Sequence, residues 1–129
     1  MTATETSIEL ARTAAKAASD KLAEDIIALD VSERLAITDV FFIASAQSER
    51  QVNAIVDGIE EELLKQGRRP VRREGRSEGR WVLLDYVDVV VHVQHTEDRI
   101  FYALERLWAD CPVIDLELED AKPSAGAAG

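Results

Sequence analysis

The stretch Arg80 to Val93, reading RWVLLDYVDVVVHV, leaves this chain few ways to fold. From Val89 to Val93 every residue but His92 is valine. Branching at Cβ disfavours a helix and suits a pleated surface, so this run predicts a strand buried on at least one face. Trp81 to Leu84 predicts a second strand, joined to the first across Asp85 to Asp88. Pairing Leu84 with Val89 sets Leu83 opposite Val90 and Trp81 opposite His92. One face then carries Trp81, Leu83, Val90 and His92; the other carries Val82, Leu84, Val89 and Val91. A slip of one residue would re-sort both faces, and Tyr86-Val87 is not a standard hairpin turn. The second face reads as plain core. The first mixes a large aromatic and a histidine with aliphatic side chains, which suits a surface awaiting a partner.

The rest of the chain supplies the layers around this hairpin. Ser7 to Lys21 predicts an alanine-rich helix, with Ser7 as N-cap and Ile8, Ala11, Ala15, Ala18 and Leu22 on one stripe. Alanine buries little area, so this helix should be the loosest. Asp25 to Val31 and Val40 to Ala46 read as strands on either side of a polar turn. Ser48-Glu-Arg-Gln51 is a capping box, in which Ser48 accepts from the N3 amide and Gln51 reaches back. Behind it Val52, Ile55, Val56, Ile59 and Leu63 keep a helical stripe that Gly67 ends. Val71 to Glu74 predicts a short edge strand, and Gly75 to Gly79 a loop. Thr96 is placed to cap a last helix with Ile100, Phe101, Leu104, Leu107 and Trp108 as its core stripe. Val113 to Asp120 reads as an extended arm, and residues 121–129 as a flexible tail after a single domain over 1–120. The element order implies an α/β sandwich with a mixed sheet of about five strands.

Composition removes several classes of function. The chain of 129 residues suffices for one core, and 47% apolar content marks it as globular. No apolar run approaches the length of a membrane span. The N-terminus carries Glu5 and Glu9 without an apolar block, so it reads as neither signal nor transit peptide. The single cysteine, Cys111, admits no internal disulfide and fits a reducing cytoplasm. A net charge of −10 argues against generic nucleic-acid binding. Six arginines nevertheless cluster at positions 68, 69, 72, 73, 76 and 80. They read either as a solvated edge strand protected from aggregation or as a local contact with an RNA backbone.

Catalytic constellations are sparse. Asp85 and Asp88 are the only paired acids near strand ends, and aspartate there is ordinary turn chemistry. His92 has no evident acid and nucleophile as companions; a structural role and an interface role compete for it. His95 reads as solvated. Cys111 adjoins Asp110, which disfavours a thiolate. Trp108 fits the helix core, whereas Trp81 fits a core position and a partner anchor equally.

Several motifs occur in an order that resembles one family. Thr38-Asp-Val-Phe-Phe-Ile43 leads to Ser48-Glu-Arg-Gln-Val52 and then Glu74-Gly75. Trp81-Val-Leu-Leu-Asp-Tyr86, Val90-Val-His92 and Arg99-Ile-Phe-Tyr-Ala-Leu-Glu-Arg-Leu-Trp108 follow. Together, from about Lys21 to Trp108, they resemble the ribosomal silencing factors, also called Iojap-like proteins. Val87 stands where the family usually has glycine, and Gln94 where it usually has an aromatic. The resemblance implies a nucleotidyltransferase-like topology, but Ala44-Ser45-Ala46 lacks the glycine of a phosphate-holding loop. It implies a translational repressor without cofactor, metal or small-molecule substrate. Such a protein would bind the large ribosomal subunit through that subunit's ribosomal protein fourteen and sterically block joining of the small subunit when nutrients are short. It also implies a homodimer off the ribosome and leaves room for a minor contact with ribosomal RNA. The contact is expected on Trp81, Leu83, Leu84, Asp85, Tyr86 and His92, with Arg99 and Tyr102 in support. The alternatives are a metal-dependent nucleotidyltransferase using Asp85 and Asp88, and a large-subunit assembly factor that does not silence.

Overall fold

In a computed structural model, residues 2–118 are described, and the expected tail at 121–129 lies outside them. The elements run α1 (Glu5–Asp20), β1 (Glu24–Asp30), β2 (Val40–Ala46), α2 (Glu49–Lys65), β3 (Arg72–Glu74), β4 (Trp81–Asp85), β5 (Val89–His95), α3 (Thr96–Tyr102) and α4 (Leu104–Leu107). The strands form one five-stranded mixed sheet in the order β1-β2-β5-β4-β3. Only β2 and β5 pair in parallel. The valine-rich β5 thus lies at the centre, and the arginine-rich β3 lies at an edge.

Helices α1 and α2 cover one face. Their buried residues, including Leu10, Ala14, Ile55, Ile59 and Leu63, form a single core with Phe42, Ala44, Val82, Leu84, Val91 and Val93. The cap of helix α1 lies three residues earlier than expected. Thr4 caps it by accepting from the Ser7 amide at 3.1 Å. Ser7 instead turns inward, where its hydroxyl donates to Asp39 at 2.9 Å. The stripe also ends sooner than expected, because Leu22 follows the helix with φ 65 and is 79% exposed. The helix is not loosely seated: Ala11, Ala14, Ala15 and Ala18 have no exposed surface, since small side chains let the backbone approach its neighbours.

Half of the expected capping box of α2 forms. Ser48 accepts from the Gln51 amide at 3.1 Å. The Gln51 side chain does not reach back; it donates to the carbonyl of Lys21 and ties the start of α2 to the end of α1. At the other end Gly67, with φ 77, closes a Schellman motif. The Arg68 amide returns to Leu63 at 2.9 Å and the Gly67 amide to Leu64 at 2.8 Å.

The β4–β5 register differs from the expected one by two residues. Leu84 pairs with Val91, Leu83 with His92 and Trp81 with Gln94. A shift of two preserves the alternation of faces, so the sorting into core and open face survives. The turn accounts for the shift. Val87 sits at φ 71, with its amide donating to Asp85 Oδ1 at 2.8 Å, and this compact arrangement lengthens the paired part of the hairpin.

The last helix is broken. Ala103 adopts the left-handed region at φ 47, ψ 54, separating α3 from α4. The cap of α3 is His95, whose Nδ1 accepts from the Glu97 amide at 3.1 Å. Thr96, the expected cap, donates instead to the Ala46 carbonyl at 3.0 Å. Three residues of the expected core stripe point outward, with Ile100 74%, Phe101 80% and Leu107 67% exposed, while Leu104 and Trp108 are half-buried. Beyond α4 the chain returns along β1, with Ile114 donating to Ala28 and Val113 bridging Leu29.

Candidate partner-binding face

The face of the sheet away from α1 and α2 carries Phe41 and Ile43 from β2, Val90, His92 and Gln94 from β5, and Trp81, Leu83 and Asp85 from β4. Aromatic rings run across it in contact. Phe101 meets Tyr102 at 4.9 Å between centroids, and Tyr102 meets Trp81 at 4.8 Å. Trp81 lies 6.1 Å from His92, His92 5.2 Å from Phe41, and Phe41 4.9 Å from Trp108. The Arg34 guanidinium stacks over Trp108 at 4.5 Å, ending the row on a cation–π contact. Trp81, Leu83 and Trp108 are half-buried, and Tyr102 is 48% exposed.

His92 sits beneath this row. It is buried, and its Nδ1 accepts the indole N–H of Trp81 at 3.1 Å. Burial holds its pKa down to about 4, so the ring is neutral at physiological pH. With Nδ1 accepting, the proton resides on Nε2, which has no partner among the described residues.

The sequence-based set divides. Trp81, Leu83, Asp85, His92 and Tyr102 come together on the open face or just beneath it. Leu84 has no exposed surface and packs under the helices, as the alternation of β4 requires. Tyr86 is buried in the same core, where desolvation, aided by Glu60, pushes its phenol up to about 12. Arg99 is buried too. It donates to Glu105 at 3.1 Å, Ser45 Oγ at 3.1 Å and the Glu24 carbonyl at 3.5 Å, joining α3 to the ends of β1 and β2. Leu84, Tyr86 and Arg99 are therefore buried in this structure and support the face from within. Sequence reasoning did not single out Phe41. Its pairing with Val90 places it on this face, and only the sheet order reveals that.

The acids at the turn are occupied. Asp85 accepts from Val87 and lies 3.6 Å from Arg72, while Asp88 lies 3.9 Å from Arg68. Ser45, at the place of a phosphate-loop serine, donates to the Glu24 carbonyl at 3.2 Å and accepts from Arg99. Much of the arginine cluster is likewise paired. Arg73 holds Glu60 through two bonds of 2.7 and 3.2 Å, Arg76 holds Asp57, and Arg80 bridges Glu97 and Asp98. Most of these ion pairs are exposed and stabilise little, but each sets a carboxylate beside an arginine of the cluster.

A family model described as "Ribosomal silencing factor during starvation" matches residues 4–128. The chain belongs to the ribosomal silencing factor family. It is 45% identical over 104 residues to the ribosomal silencing factor of Bacillus subtilis, covering 81% of this chain and 88% of that protein. Chloroplastic Iojap of Arabidopsis thaliana is 36% identical over 106 residues, which cover 82% of this chain and 44% of the plant protein. A crystal structure from Bacillus halodurans superposes with a TM-score of 0.73 at 40% identity, covering 83% of this chain and 97% of that one. An X-ray structure from Chromobacterium violaceum gives a TM-score of 0.76 at 35% identity, covering 89% and 95%. Membership places the chain among ribosome-associated regulators of translation. Among the described residues no helix is long and apolar enough to cross a membrane.

Proposed function

We propose that this silencing factor represses translation by steric occlusion, acting in the cytoplasm without catalysis. It docks on the large ribosomal subunit through that subunit's ribosomal protein fourteen and so prevents the small subunit from joining. The observation that carries this reading is the aromatic row from Phe101 to Trp108, left outside the helix-covered core. Trp81 and Phe41, fixed on strands with part of each ring open, lose little freedom on docking, and such residues dominate binding energy. Trp81 is the anchor, Leu83 and Tyr102 flank it, Asp85 marks the hairpin end, and His92 braces the indole from below. Contact with ribosomal RNA is minor at most, since the arginines beside the face are largely paired. Off the ribosome, a second copy covers the exposed side chains of α3 and α4.

Sedimentation with purified subunits tests the reading. The protein should travel with the large subunit alone, and joined particles should fall as it is added. Binding only to assembly intermediates would instead support a maturation factor. Co-sedimentation with the small subunit, or unchanged joining, would sink the proposal.

A further inference from the structure

Gln94 breaks the rule that buried polar groups are hydrogen-bonded. It has no exposed surface, yet neither its amide nitrogen nor its amide oxygen has a partner among the described residues. Two positions earlier on the same face, His92 Nε2 is also buried and unpartnered. Leaving such groups unsatisfied costs stability, and apolar replacements of similar shape are commonly neutral or better. A chain that keeps them in an aromatic surface retains a local defect, and such defects concentrate at functional sites.

Helix α3 forms the roof over this spot. Gln94 pairs with Ser45 on one side and Trp81 on the other. Arg99 of α3 reaches Ser45, and Tyr102 of α3 lies against Trp81. The roof is inside out, with charged Arg99 buried and apolar Ile100 and Phe101 exposed. It ends at Ala103, a non-glycine residue in the left-handed region, where a small change of backbone angle re-aims the segment. Opening this roof would release the Arg99 contacts to Ser45 and the Glu24 carbonyl while uncovering the unsatisfied groups beneath.

We infer that Gln94 and His92 form a covered recognition slot that accepts one backbone amide unit of the docked protein once α3 swings aside. The chemistry selects this occupant. Gln94 offers an NH2 group that donates and a carbonyl oxygen that accepts, and His92 Nε2 adds a donor, so the slot is neutral and complements a peptide C=O and N–H. A phosphate would leave the Gln94 oxygen facing like charge. Nucleobase edges share the mixed pattern, but the net charge of −10 and the rim of Trp81, Leu83 and Phe41 favour protein. The inference rests on the proposed docking and names Gln94 as a specificity residue within it.

The test uses Gln94→Met, which keeps side-chain volume and removes both amide atoms. Its melting temperature should equal or exceed that of the unaltered protein. Its affinity for the purified large subunit, and for isolated ribosomal protein fourteen, should fall roughly tenfold, as expected for loss of about two neutral hydrogen bonds. Hydrogen exchange of the unaltered protein should show the amides at 96–103 changing protection on binding. Equal affinity of Gln94→Met for both partners would overturn the slot while leaving the docking intact. Weaker binding to the subunit but not to the isolated protein would overturn the peptide assignment in favour of RNA. Should the substitution impair folding, Gln94→Leu and the exchange measurement decide: unchanged protection at 96–103 excludes the opening. If the unaltered protein binds neither partner, the docking reading itself fails.

Discussion

The indole N–H of Trp81 donates to Nδ1 of His92 at 3.1 Å, on a diagonal across the β4–β5 ladder rather than between directly paired residues. One bond therefore fixes two things. It holds the indole plane against Tyr102, and it forces the histidine proton onto Nε2. The most prominent aromatic on the open face is thus preorganised by a buried neutral ring.

Truncating the anchor separates docking from folding. Trp81 is half-buried, so Trp81→Ala should cost less stability than the about 3–5 kcal/mol typical of a fully buried tryptophan. Binding to the large subunit should weaken by about 2 kcal/mol or more, roughly thirtyfold. Trp81→Phe, which keeps a ring but loses the donor, should fall between. Thermal melts and subunit-binding titrations on the same samples provide the check. Early melting with normal binding by the folded fraction would place the contact on another face.

His92 gives stability a dependence on pH with a definite sign. Its folded pKa of about 4 lies below the unfolded value of about 6.5, so the unfolded chain binds a proton first. The contribution is complete above about pH 6.5 and is lost as pH falls toward about 4, a total of roughly 3 kcal/mol. Asp30 acts in a lower window. Burial raises its pKa, but the Ser32 hydroxyl and the amides of Ala3 and Ser32 outweigh burial and leave it below 3.8. Denaturant titrations from about pH 7.5 to 4.5 should show falling stability, and His92→Phe should flatten that slope. A slope unchanged by the substitution would assign the effect to another group.

The architecture was legible from valines and alternation, because burial on two faces of a sheet constrains side chains at every second position. Register was not, because it depends on the turn: the glycine usual in the family at position 87 hints at a left-handed residue, but Tyr86-Val87-Asp88 alone does not fix which residues pair. The outer face of α3 was misread for a related reason. Periodicity groups Ile100, Phe101 and Leu104 on one side of an unbroken helix, but it shows neither which side faces the sheet nor the break at Ala103 that leaves Leu104 half-buried in α4. Arg99 decides it, because Ser45, Glu24 and Glu105 together hold the guanidinium inside. Ser45 and Glu24 are distant in sequence. Trp81 and His92 were legible as neighbours on one face, whereas the bond between them needed the true register.

The left-handed valine makes a stability prediction in the opposite direction from most substitutions. Val87 is β-branched at φ 71, which costs about 1–2 kcal/mol over a glycine there. Glycine also frees the unfolded chain, offsetting about 0.4–1 kcal/mol. Val87→Gly should therefore stabilise by roughly 0.5–1 kcal/mol and raise the melting temperature by a few degrees. Asp85→Ala should act oppositely, since the Val87 amide loses its acceptor. Differential scanning calorimetry of both variants checks the pair; a lower melting temperature for Val87→Gly would contradict the strain argument.

The exposed side chains of α3 and α4 predict self-association. Ile100, Phe101 and Leu107 are each at least two-thirds exposed, and Phe101 continues the aromatic row through Tyr102. Exposed apolar surface of this kind marks interfaces, and a two-fold pair is the commonest way for one chain to cover it. Each copy carries −10, so charge opposes pairing and added salt should strengthen it, the reverse of an interface held by ion pairs. Light scattering at micromolar concentration should give the mass of two chains, rising toward completion between about 50 and 500 mM salt. Phe101→Ser should shift the equilibrium to one chain without lowering the melting temperature of the monomer, because the ring is 80% exposed. Large subunits should compete with the second copy, since both need the surface around Tyr102. A single-chain mass at every concentration and salt, or a dimer untouched by Phe101→Ser, would remove α3 from the interface.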